Sequence, residues 1–97
     1  MTLKDHIEEA LKRVIDPGAK LDIMRMKLVT DLSVDQDGTA RLTFRPSSPV
    51  CPLAFKLAYD IQTAVLETAG VRVVKMTVAG YNKADELMEI LREAQNH

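Results

Sequence analysis

The 97-residue sequence predicts an α/β (α+β) domain of order α-β-β-α-β-α, a three-stranded mixed sheet with its helices packed on one face. Three observations predict it. Apolar residues recur at three- and four-residue spacing near both ends and in the middle of the chain. Between those stretches the period drops to two. Clusters of Gly, Pro, Asn or Asp fall where the period changes.

Thr2 and Asp5 have the spacing of a capping box, and Leu3, Ile7, Leu11, Val14 and Ile15 continue it as an amphipathic helix. Asp16-Pro17-Gly18 ends that helix, because proline pushes the residue before it out of helical conformation and glycine accepts positive φ. From Ile23 the alternation places Met24, Met26, Leu28, Leu32 and Val34 on one face of a long strand, with Arg25, Lys27, Asp31 and Ser33 on the other. Asp35-Gln36-Asp37-Gly38 supplies a turn, and Ala40, Leu42 and Phe44 form the inner face of a second strand, giving an antiparallel hairpin.

Pro46, Pro49 and Pro52 stiffen the next loop. Leu53, Leu57, Ile61 and Val65 then mark a second helix that stops at Gly70, and Val71 to Ala79 reads as a strand with Val74, Met76 and Val78 facing inward. The crossover between the second and third strands is expected to be right-handed. Asn82 suits the N-cap of a last helix whose apolar stripe is Ala84, Leu87, Met88, Leu91 and Ala94. Residues 1–97 thus read as a single domain, with the C-terminal helix 82–95 as an appendage to its core.

Composition narrows the function. Thirteen basic against fourteen acidic residues give a net charge of −1, which provides no field for nucleic acid or an anionic membrane. Two Tyr, two Phe and no Trp leave few stacking platforms, and Gly18, Gly38, Gly70 and Gly80 include no Gly-x-x-Gly clamp of the KH type. No apolar run is long enough for a membrane span, residues Met1 to His6 lack the core of a signal peptide, and one cysteine cannot form an internal disulfide. A cytoplasmic, reducing compartment is the expectation.

Cys51 is the residue to which chemistry is assigned. With Pro52 at the first helical position, Cys51 falls at an N-cap, where free backbone N–H groups and the helix dipole favour the thiolate. A thiolate binds iron or attacks an electrophile. The competing reading is a buried, inert thiol that fills space, the common fate of unpaired cysteines.

Val14-Ile15-Asp16-Pro17, Met26-Lys27-Leu28-Val29, Leu42-Thr43-Phe44-Arg45-Pro46 through Cys51-Pro52-Leu53, and Val71 to Val78 resemble successive blocks of the iron–sulfur cluster assembly domain family, of the SufT and PaaD type. The resemblance covers roughly residues 7 to 79. It implies the same α-β-β-α-β core. It also implies a non-enzymatic role in maturing iron–sulfur proteins, as adaptor or transient cluster carrier, with the assembly machinery and client apoproteins as partners. Asp16 and Cys51 match the family's characteristic Asp-Pro and Cys-Pro residues and are the implied metal and cluster ligands. Ser48, with Ser47, stands where a hydroxyl residue commonly precedes the cysteine. Three departures are visible: Gly18 replaces an acidic residue, Lys27 replaces a glycine, and a helix stands where a short Pro/Trp-containing tail is common.

Iron–sulfur clusters generally need about four protein ligands, and this chain offers one thiol. A homodimer would bring two thiolates, completed by Asp16, a histidine or a small thiol. Two other readings stand beside this one: a thiol enzyme with Cys51 as nucleophile, and a structural interaction module. The enzyme needs a base, and only His6 and His97, near the termini, are imidazoles.

Overall fold

A computed structural model describes residues 2–16, 20–46 and 53–95. The elements run α1 (Leu3–Leu11), β1 (Ile15–Asp16), β2 (Leu21–Asp22), β3 (Val29–Val34), β4 (Thr39–Phe44), α2 (Ala54–Leu66), β5 (Val73–Val78) and α3 (Ala84–Gln95). The main sheet has order β3-β4-β5, antiparallel then parallel, and β1 and β2 form a separate short ladder. The expected α-β-β-α-β-α order and mixed three-stranded sheet are therefore present, with one additional small hairpin.

The capping box opens α1 as the sequence indicates: Asp5 N–H donates to Thr2 Oγ1 at 3.2 Å and Thr2 N–H to Asp5 Oδ2 at 3.1 Å. Those bonds, led by the one from the Thr2 backbone, hold the Asp5 carboxyl below its usual range. The helix ends at Leu11 and does not reach Asp16. Tight turns from Arg13 N–H to Ala10 O and Val14 N–H to Leu11 O close it, and Ile15 and Asp16 then pair with Asp22 and Leu21. Pairing across the turn segment outweighs the helical periodicity of Val14 and Ile15.

The expected long strand from Ile23 is also shorter, beginning at Val29. Residues 24–27 are successive turns: Arg25 N–H donates to Asp22 Oδ1 at 2.8 Å, Met26 N–H to Asp22 O at 3.2 Å and Lys27 N–H to Met24 O at 3.1 Å. Their alternating exposure imitates a strand, but Ile23 and Leu28, five residues apart, are both buried. Within β3 the register slips between Thr30 and Ser33, where Asp31 takes φ 55°. The extra residue of this bulge changes the inward parity, so Val29 before it and Leu32 and Val34 after it all face the core.

The turn into β4 follows the sequence closely. Gly38 has φ 90° and its N–H donates to Asp35 O, while Thr39 N–H donates to Asp37 Oδ1 at 3.1 Å. A side chain at Gly38 would meet the Gly70 carbonyl oxygen at 2.7 Å, so this position admits only glycine without movement. Ala40, Leu42 and Phe44 point inward, as do Val74 and Val78 across the parallel register Ala40↔Val74 and Phe44↔Val78. Against them pack Ile7 and Leu11 of α1, Leu57, Ile61 and Val65 of α2, and Leu87 and Leu91 of α3. Each such burial removes enough apolar surface for about 1.5–3 kcal/mol.

The last helix shares this core. It lies against β5 and α2. Gln62 of α2, 2% exposed, donates its Nε2 to the Leu91 carbonyl at 3.0 Å. Ala94, expected in the apolar stripe, is exposed. On the far side of the sheet Arg41, Lys75 and Thr77 face solvent, and Arg41 pairs with Asp35 at 3.0 Å.

Candidate functional site

Strands β4 and β5 finish at one end of the sheet. β4 ends at Phe44, and Ala79 N–H, just beyond β5, donates to the Phe44 carbonyl at 3.0 Å. Gly80 follows with φ 67°, a left-handed conformation that favours glycine, and it packs beside the Arg45 side chain. Phe55 at the start of α2 meets Tyr81 edge to face, with ring centroids 6.2 Å apart.

Asp16 enters this end through the small hairpin. It is 6% exposed, paired with Leu21, and its carbonyl accepts the Lys20 N–H at 2.7 Å. Three backbone hydrogen bonds then lead from the hairpin to the root of the Pro-rich loop: Ile23 N–H to Val14 O, Leu28 N–H to Ile23 O, and Arg45 N–H to Leu28 O at 2.8 Å. Backbone bonds therefore tie the hairpin that carries Asp16 to Arg45, six residues before Cys51.

Cys51, Ser47 and Ser48 lie outside the described residues, as do Pro17, Gly18 and His97. One expectation about Cys51 is nonetheless corrected. The N-cap of α2 is Leu53, with φ −98° and no side-chain capping bond, and Ala54 is the first helical residue. Cys51 precedes that cap by two positions, and the helix dipole acts mainly within the terminal turn, so the argument from an N-cap thiolate loses its premise. His6 is an exposed residue of α1 lining a shallow groove between α1 and α2, together with Glu9, Arg13 and Tyr59.

Among the described residues no three His, Cys, Asp or Glu side chains gather to hold a metal ion. The chain has one thiol, Cys51, and Asp16 is a buried carboxylate. Sequence reading missed the β1–β2 hairpin itself. Its signal was present in the two apolar-Asp pairs, Ile15-Asp16 and Leu21-Asp22, flanking a Pro-Gly turn dipeptide.

The profile described as iron-sulfur cluster assembly protein matches residues 4–78. The chain belongs to that family. The match spans the hairpin, the β3–β4 pair, the Pro-rich loop, α2 and β5, and it bears out the resemblance carried by the Asp-Pro and Cys-Pro blocks.

Among relatives of this iron–sulfur assembly chain, an uncharacterized protein of Methanocaldococcus jannaschii is 32% identical over 95 residues, 98% of this chain and 100% of that one. The Fe-S protein maturation auxiliary factor YitW of Bacillus subtilis is 34% identical over 70 residues, 72% of this chain and 69% of its own. A domain of unknown function from Bacillus anthracis, solved by crystallography, superposes with TM-score 0.74 at 22% identity, covering 97% of this chain and 92% of that one. A Mycobacterium tuberculosis protein associated with Fe-S complex assembly and repair superposes with TM-score 0.54 at 22% identity over 90% of this chain and 83% of its own. The two structures show a shared fold. No helix of the described residues is long and apolar enough to cross a membrane.

Proposed function

We propose that this chain is a non-enzymatic iron–sulfur assembly factor that works through Cys51, as an adaptor to client apoproteins or as a transient carrier of cluster cargo. Membership of the family over residues 4–78 is the observation that carries the reading. The name of the B. subtilis relative, an Fe-S protein maturation auxiliary factor, supports it. The structure adds a physical reason: the Asp16 hairpin and the root of the Cys51 loop are parts of one hydrogen-bonded unit at the end of the parallel strand pair.

The chemistry follows from the donors. A single thiolate holds iron weakly and exchanges it readily, which suits hand-over and does not suit storage. Two chains would offer two thiolates, with Asp16 carboxylates or small thiols completing the set. Serine hydroxyls at Ser47 and Ser48 supply hydrogen-bond donors in the same loop. A chain whose one cysteine must stay reduced belongs in a reducing compartment, and we assign it to the cytoplasm.

Anaerobic incubation with iron and sulfide, followed by visible absorption and sizing, tests the carrier form. Wild type is expected to gain a sulfide-to-iron absorption band in a dimer, Cys51→Ser to lose it, and Asp16→Asn to release the cluster faster to a chelator. A band retained at wild-type intensity in Cys51→Ser would overturn the role given to that thiol. The adaptor form is tested by activation of an aconitase-type apoprotein, which Cys51→Ser is expected to slow.

A further inference from the structure

The main sheet has two edges, and they differ. β3 is broken by the bulge between Thr30 and Ser33 and by left-handed Asp31, features that blunt an edge against further pairing. β5, the opposite edge, runs six residues in unbroken register with β4, without bulge, proline or glycine, and among the described residues no strand lies beyond it. Its outward backbone can be assigned. Ala79 N–H donates to the Phe44 carbonyl and Arg45 N–H to the Leu28 carbonyl, so the odd-numbered residues of β5 turn their peptide groups to β4 and Met76 turns its own away.

A groove of about 330 Å³ runs along this edge between β5 and α3. Four consecutive residues, Val73 to Met76, line it. Successive side chains of a strand point to opposite faces, so a cavity that touches all four is open along the backbone edge and not only under one face. Met76, Met88 and Leu91 form its apolar side, and the unbranched methionines adapt to the side chain they meet. The charges at the groove have one sign: Lys75 and Arg92 line it, and no acid does. That is selective, since α3 carries Asp85, Glu86, Glu89 and Glu93 and a single cation, Arg92.

The geometry points to the β5 edge as a docking site for an extended segment of another polypeptide, which adds a strand beside β5, seats apolar side chains against Met76, Met88 and Leu91, and brings carboxylates to Lys75 and Arg92. Backbone pairing along the edge supplies affinity, and the alternation of side chains across the added strand supplies the pattern of apolar and acidic residues. Charge complementarity selects the acids. A second copy is the poorer occupant, because antiparallel pairing of β5 with itself brings two Lys75 side chains together on the open face of the sheet. The site rests on the sheet edge and stands or falls without Cys51.

The test is fluorescence anisotropy of the full chain with a labelled peptide of alternating Val and Glu, beside a copy with Lys for Glu, two copies N-methylated at one or the other set of alternate backbone amides, and dodecanoate as a competitor. The Glu peptide is expected to bind and to slow hydrogen exchange at the Met76 amide, one N-methylated copy to lose binding, and the Lys copy to bind about tenfold more weakly. Lys75→Glu/Arg92→Glu changes two exposed side chains outside the core, and is expected to weaken the Glu peptide about tenfold and to strengthen the Lys copy. Cys51→Ser is expected to bind as wild type, which separates a failure here from a failure of the cluster reading. No binding of the Glu peptide, undiminished binding of both N-methylated copies, wild-type affinity in the double variant, or dodecanoate displacing the label at lower concentration than unlabelled peptide would each overturn the proposal. Protection of the Met76 amide that rises with protein concentration in the absence of peptide would assign the edge to a second copy and overturn it as well.

Discussion

The two halves of the molecule are built by different rules. From Thr39 to Val78 the chain is regular: β4 and β5 run in unbroken parallel register from Thr39↔Val73 to Phe44↔Val78, with α2 between them in sequence. From Lys12 to Val34 it is irregular: a two-residue ladder, a run of turns, a bulge, and left-handed Lys20, Lys27 and Asp31. The regular half holds the largest fully buried side chain, Phe44; the irregular half holds the buried carboxylate Asp16. Every left-handed non-glycine residue among those described lies in the irregular half.

That contrast breaks first in the core. Phe44→Ala removes a fully buried ring from the centre strand and is expected to cost about 3–5 kcal/mol, read as a large fall in the urea midpoint. A loss under about 1 kcal/mol would show that the regular half does not dominate stability. Gly38→Ala is a smaller blow. It drives a Cβ against the Gly70 carbonyl at 2.7 Å and asks alanine to hold φ 90°, so about 2 kcal/mol is expected from thermal unfolding.

These sizes also explain what could be read from sequence. The regular half was legible because its burial and its period agree: Ala40, Leu42 and Phe44 alternate, and Leu57, Ile61 and Val65 recur every four residues. The Asp37-Gly38 turn was legible because its chemistry is local; the Thr39 hydroxyl and N–H hold the Asp37 carboxyl below its usual range. The irregular half was misread because two features imitate regular ones. Val14 and Ile15 continue the spacing of α1, yet tight turns close the helix at Leu11; Met24 to Lys27 alternate in exposure, yet they are turns. The strands that pair Ile15 with Asp22 are 2 residues each, too short for a window of periodicity to report.

The candidate site was legible only as residue types. Asp16 and Cys51 were named from their motifs, and the family match spans both blocks. The cap of α2 at Leu53 was not foreseen, because proline at a first helical position is a preference and the chain begins the helix two residues later.

The smallest expected effect sharpens the comparison at α1, the most regular element beside the irregular segment. The Asp5 carboxylate is stabilised by the Thr2 N–H and hydroxyl, so its folded pKa lies below its ordinary value of 3.8. A depressed carboxyl contributes stability that is present above the unfolded value and is lost as pH falls through the folded one. Wild type and Asp5→Asn are therefore expected to differ slightly in Tm at neutral pH and to converge in acid. A gap that stays constant into acid would assign the cap to geometry and not to charge.

The amide of Gln62 has a consequence for evolution of the fold. It is a buried donor whose acceptor, the Leu91 carbonyl, belongs to a helix lying wholly beyond the family-matched residues 4–78. In a relative without α3 that amide would lose this acceptor. The M. jannaschii relative aligns over 98% of this chain, so its alignment reaches across α3. Position 62 is therefore where a relative without that helix is expected to carry a different side chain.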